Sequence, residues 1–180
     1  MAMKQRTKTR NLALSAILVA LGTVFLYFGS IITVLDLTMV AMAAMIIFFT
    51  VIELGGFYPY LVYVATSALA LLLLPDKNAA LYYCLFGGIY PVFKSLFEKS
   101  GQILSWILKF LFFNAILTLI IVITLYVIGA ENADLGFEIV VYLAGNLFFF
   151  VYDIAMTRLI TAYLFKFRRM LRIDKYFKNK

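Results

Sequence analysis

From Leu12 to Leu35 the chain carries no charged side chain, and that feature leaves it the fewest options. An α-helix rises about 1.5 Å per residue and a bilayer's hydrocarbon core is about 30 Å thick, so about 20 consecutive apolar residues make one crossing. Five more apolar stretches follow. The predicted segments are 11–32, 37–53, 57–74, 79–97, 103–128 and 138–165, separated by LDLT, ELGG, PDKN, FEKSGQ and GAENADLG. Each separator holds Gly, Pro, Asn, Asp or another charge, the residues that interrupt regular structure. The segments are continuously apolar, without the alternation of a membrane barrel, so helices are expected. The predicted fold is all-α: six transmembrane helices in a single integral membrane domain spanning residues 1–180, with a basic tail at 166–180.

Composition agrees. With 65% hydrophobic and 14% charged residues and a mean hydropathy of +1.01, too little polar surface exists to cover a water-soluble globule. The first apolar run is longer than a signal-peptide core and shows no convincing small-x-small cleavage site after it, so it reads as a retained helix.

Orientation follows from the cations. With the N-terminus cytoplasmic, the inner side holds Lys4, Arg6, Lys8, Arg10, Lys94, Lys99 and the tail from Lys166 to Lys180, whereas the outer loops hold only Lys77. The outer side instead carries Asp36, Asp76, Glu131 and Asp134. The positive-inside rule therefore places both termini in the cytoplasm of a multi-pass cell-membrane protein, which requires an even number of crossings. The net charge of +7 gathers at the two ends beside apolar helices, so anionic lipid rather than nucleic acid is its expected partner. The tail, KFRRMLRIDKYFKNK, alternates cations with Phe, Met, Leu, Ile and Tyr as an interfacial helix does.

The same composition narrows the chemistry. The chain has no histidine and one cysteine, Cys84, which argues against a metal site, an internal disulfide and most hydrolytic mechanisms. No Gly-rich run ends in Gly-Lys-Ser/Thr, so the chain holds no nucleotide loop of its own. No catalytic residue, metal or cofactor is expected.

Polar residues inside apolar segments are then the candidates for function, although most such groups only bond between helices. In the last segment Asn146, Asp153 and Thr157 share one narrow stripe, while Arg158 is rotated away and can snorkel to the headgroups. In the fifth, Asn114 should lie at the depth of Asp153 and is its expected partner. Tyr82, Tyr83 and Tyr142 belong to the outer ends of the fourth and sixth segments, near Asn78 and above Asn146. An aromatic belt accounts for them equally well, but together with Asp36 they form a candidate lining for an outward cavity that binds a small solute.

The first segment has a smooth face: Ala13, Ala16 and Ala20, continued by Thr23, recur at helical spacing and let another helix approach closely. Packing within the bundle is the plain explanation. The A-I-L-V-A run from Ala16 to Ala20, the opening KTRNLALSAILVAL, the closing GNLFFFVYDIAMTRLITAYLFKFRRM and a length of 180 residues in six helices together resemble the S components of energy-coupling factor transporters. These are small membrane subunits that capture vitamins or metal ions. The resemblance implies a non-catalytic subunit whose Ala-x-x-x-Ala face docks to a membrane coupling subunit, itself driven by cytoplasmic ATPases. A structural scaffold similar to the MreD family of cell-shape proteins is the alternative, and it needs no cavity.

Overall fold

A computed structural model describes residues 2–126 and 135–167, and all of its regular structure is helical. The helices are α1 (Ala2–Ile31), α2 (Asp36–Glu53), α3 (Tyr58–Leu73), α4 (Lys77–Tyr82), α5 (Tyr90–Phe97), α6 (Gln102–Tyr126) and α7 (Leu135–Ala162). A π-helical turn, Tyr83–Gly87, leads from α4 towards α5, and a second, Tyr163–Phe167, follows α7. The predicted segments thus coincide with helices, except that the fourth is built in pieces and α1 runs back through the basic start to Ala2. Residues 131–134, expected in an outer loop and including Glu131 and Asp134, and residues 168–180 of the basic tail lie outside the described residues.

Among the described residues, five stretches are long and apolar enough to cross a membrane: Thr7–Ile31, Asp36–Glu53, Lys77–Ser100, Gln102–Ile123 and Ile139–Lys166. Helix α3 is apolar but shorter, at 16 residues. Lipid offers no hydrogen bonds to a bare backbone, which is why every apolar stretch resolves into helix. Local chemistry ends them. At ELGG, Gly55 and Gly56 adopt φ of 61° and 58°, a left-handed conformation in which a Cβ would be strained. At PDKN the Asp76 Oδ1 accepts from the Asn78 amide at 3.0 Å and caps α4, while Lys77 Nζ donates to the carbonyls of Leu71 and Leu74, at 2.9 and 2.8 Å, and closes α3.

The chain forms two compact units, Met1–Phe112 and Phe113–Lys180. In the first, α1 packs on α2 and α3, and α2 packs on α5. The face that α1 buries is Ser15, Val19, Gly22, Leu26 and Gly29, alternating four- and three-residue steps along one stripe. Its glycines permit the approach: a Cβ at Gly22 would lie 3.3 Å from Thr66 Cγ2, and one at Gly29 only 2.9 Å from Met39 Cβ. Val40, Ala43, Ile47, Val62, Ala70 and Ala80 complete this core.

In the second unit the later part of α6 runs antiparallel to α7. Phe113 and Phe149 stack at 4.5 Å with planes 10° apart, and Gly145 lies against Leu117 and Phe113. Large apolar side chains remain exposed in both units, Ile17, Leu72 and Leu147 among them, as expected where the solvent is lipid.

Candidate functional site

The fourth apolar segment is broken in its middle. In place of the usual four-residue spacing, the Gly88 amide reaches back to the Tyr83 carbonyl, 2.7 Å away. Regular helix resumes at Tyr90, with Pro91 in its first turn. Proline has no amide hydrogen, so the Gly87 carbonyl is denied the partner that residue 91 would otherwise supply. The Cys84 carbonyl, whose usual partner Gly88 is diverted to Tyr83, is served by a side chain from another helix: the Tyr63 hydroxyl donates to it at 2.7 Å. Two glycines let this happen at close range. A Cβ at Gly88 would fall 2.6 Å from a Tyr63 ring carbon and 2.8 Å from one of Tyr83, and a Cβ at Gly87 would fall 2.5 Å from Val40 Cγ1. Thr66, only 1% exposed, and Ser67 bring hydroxyls to the same region. Both oxygens are buried without a hydrogen bond of good geometry, although they lie within electrostatic reach of Tyr83 and of Tyr63 and Cys84, respectively. Discontinuous apolar helices with polar neighbours are where membrane proteins build binding sites and moving parts. Reading the segment as one run over 79–97 missed the break, yet its signal is local: FGGIYP joins Gly87, Gly88 and Pro91 within five residues.

The residues expected to line a cavity divide between the two units. In the first, Tyr82 is half-buried and within electrostatic reach of Asp76 and Asp36, and Asn78 is exposed at the start of α4. Asp36, Asp76, Asn78 and Tyr82 therefore share one end of this unit. Tyr83 does not join them at the surface. It is buried, 1% exposed, with its ring 6.4 Å from that of Tyr63.

In the second unit, Asn114 and Asn146 form a reciprocal amide pair, each Nδ2 donating to the other's Oδ1, at 2.9 and 3.0 Å. Asn146 also donates to the Tyr142 carbonyl at 2.8 Å. The Thr118 hydroxyl donates to the Asn114 carbonyl at 2.8 Å and lies 2.7 Å from the Tyr142 hydroxyl. With the single Thr118 proton committed to that carbonyl, the phenol of Tyr142 is the donor in the second contact. Asn114, expected beside Asp153, thus makes its reciprocal pair with Asn146, about two helical turns nearer the start of α7. Asp153 is 1% exposed and Arg158 is exposed.

Two further placements add detail to the expected ones. Lys94, counted among the cations of the inner side, is 1% exposed and bonded at 3.0 Å to Glu98 Oε1, which also takes Lys109 Nζ at 3.0 Å. Lys109 lies over the Trp106 ring, 5.2 Å from its centroid, a cation–π contact. The Lys94 and Glu98 spacing of four residues was the available signal. On α1, Ala13, Ala16 and Ala20 are exposed, while Thr23, read as their continuation, is buried and donates to the Val19 carbonyl at 2.9 Å. Among the described residues no group of three or more His, Cys, Asp or Glu is placed to hold a metal ion.

Among the described residues, five long apolar helices, a broken one among them, and polar groups bonded between helices define a multi-pass helical membrane protein. No family model, curated protein or solved structure matches the chain.

Proposed function

We propose that this protein is the solute-capturing membrane subunit of an ATP-powered uptake transporter, non-catalytic itself, that docks to a membrane coupling subunit through Ala13, Ala16 and Ala20. The observation that carries this reading is the division of labour on α1. The plain explanation of a smooth alanine face is packing within the bundle, but the first unit packs α1 by Ser15, Val19, Gly22, Leu26 and Gly29, and leaves the three alanines exposed. A small-residue face without an internal use suits close approach by a partner helix. In this reading both termini are cytoplasmic, α3 makes a sixth crossing with local thinning of the bilayer, and the basic ends rest on anionic lipid. A small solute such as a vitamin is captured beside Asp36, Asn78 and Tyr82 of the first unit.

The test is affinity purification of the tagged protein from its native membrane. Co-purification of a membrane subunit with a pair of ATPases is expected, and Ala16→Trp and Ala20→Trp should abolish it while changing the isolated protein's stability by less than about 0.5 kcal/mol, as exposed substitutions do. A loss of about 1–3 kcal/mol would mean that the alanines serve internal packing. Variants that still assemble, or a wild-type protein that brings down cell-wall elongation proteins instead, would overturn the proposal.

A further inference from the structure

We propose that the exposed face of α3 is a lipid-selecting surface, which thins the bilayer beside it and gathers phospholipids with short acyl chains. The inference rests on α3 crossing the membrane, as proposed above, and not on what the protein carries. At 16 residues α3 rises about 24 Å, and its exposed side, with Val64 and Leu72, is apolar. Anchors at its two ends shorten the hydrocarbon further. At the start, Phe57 and Tyr60 are exposed and stack with ring centroids 6.4 Å apart. Aromatic groups at helix ends settle at the headgroup level.

At the other end the Lys77 ammonium sets the boundary. A lysine near a helix end ordinarily stretches away from hydrocarbon towards the headgroups. Lys77 Nζ instead turns back along α3 to the carbonyls of Leu71 and Leu74, at 2.9 and 2.8 Å. A charged ammonium is costly in hydrocarbon, so the headgroup region must come to it. The chain from Tyr60 to Leu74 rises about 21 Å, against a hydrocarbon core of about 30 Å. Helix α3 cannot lengthen to meet it, because Gly55 and Gly56 turn the chain in a left-handed conformation before it, and Leu74, already extended, leads into Pro75 after it. Tilting would only reduce the thickness spanned, so the lipid adapts. The stretches Gln102–Ile123 and Ile139–Lys166, 22 and 28 residues long, carry no such deficit. Bilayer deformation costs free energy for each ångström of mismatch, so lipids whose chains are already short collect against α3.

Fluorescence quenching by brominated phosphatidylcholines tests this on the full chain in vesicles. Val64→Trp in a Trp106→Phe background puts the chain's single tryptophan on the exposed side of α3; Leu72→Trp is a second reporter there, and Leu111→Trp reports from α6. Fourteen-carbon lipid is expected to compete for the α3 reporters at least about threefold better than eighteen-carbon lipid, with no such preference at residue 111. Equal competition at both α3 reporters, or the same preference at residue 111, would overturn the proposal. Phe57→Cys and Pro75→Cys, each with Cys84→Ser, separate the two layers of the argument. Labelling by an impermeant thiol reagent from opposite faces is expected. Labelling of both from one face removes the crossing and this surface with it, whereas opposite-face labelling without a chain-length preference removes the surface alone.

Discussion

The contact of Gly87 with Val40 gives the strictest check on how the break is packed. An alanine at 87 would place its Cβ 2.5 Å from Val40 Cγ1, 3.5 Å from the Val40 carbonyl oxygen and 3.6 Å from Tyr83 Cδ2. Carbon atoms in good contact sit about 3.5–4.0 Å apart, so the Val40 methyl must retreat by about 1 Å. It has little freedom to do so: Val40 is buried in α2, 5% exposed, and a β-branched side chain in a helix holds one χ1 rotamer. Gly87→Ala should therefore cost about 1–3 kcal/mol of overpacking, reduced by up to about 1 kcal/mol from the better helix propensity of alanine. Val40→Ala alone removes two methyl groups and should cost about 1–2 kcal/mol in lost packing. In the double variant the new Cβ enters the space the valine methyl left, so the two costs should not add: a favourable coupling of about 1–2 kcal/mol is expected. Denaturant titration of the purified protein in detergent micelles, run as a double-mutant cycle, measures it. Additivity to within about 0.5 kcal/mol would refute the packing described around the break.

The amide pair of the second unit predicts a related pattern. Asn114→Val or Asn146→Val should each destabilise by about 1–2 kcal/mol because the surviving amide loses its reciprocal bonds, whereas the double variant should cost less than the sum; simple additivity in the same titration would argue against the pair. For topology, Ala133→Cys in a Cys84→Ser background should react with an impermeant thiol reagent only from the outer face of right-side-out vesicles, and labelling only from the cytoplasmic face would reverse the proposed orientation.

Where the helices lie was legible in the chain, because backbone that enters lipid must bond to itself and the length of each apolar run is a local property. Breaks at ELGG and PDKN followed from their own residues for the same reason, and FGGIYP carried an equally local signal for the interruption at 83–91. Which face of each helix meets protein was not legible. In water, burial is written as a contrast between polar and apolar sides, but in a membrane both sides of α1 are apolar and the contrast vanishes. The choice of Ser15, Gly22 and Gly29 over Ala13, Ala16 and Ala20 rests on how closely Thr66 and Met39 fit against bare backbone, which only the assembled helices α1, α2 and α3 define. Likewise Asn114 finds Asn146, and Lys109 reaches Glu98, because a costly polar group in an apolar medium takes the partner that tertiary packing brings within about 3 Å.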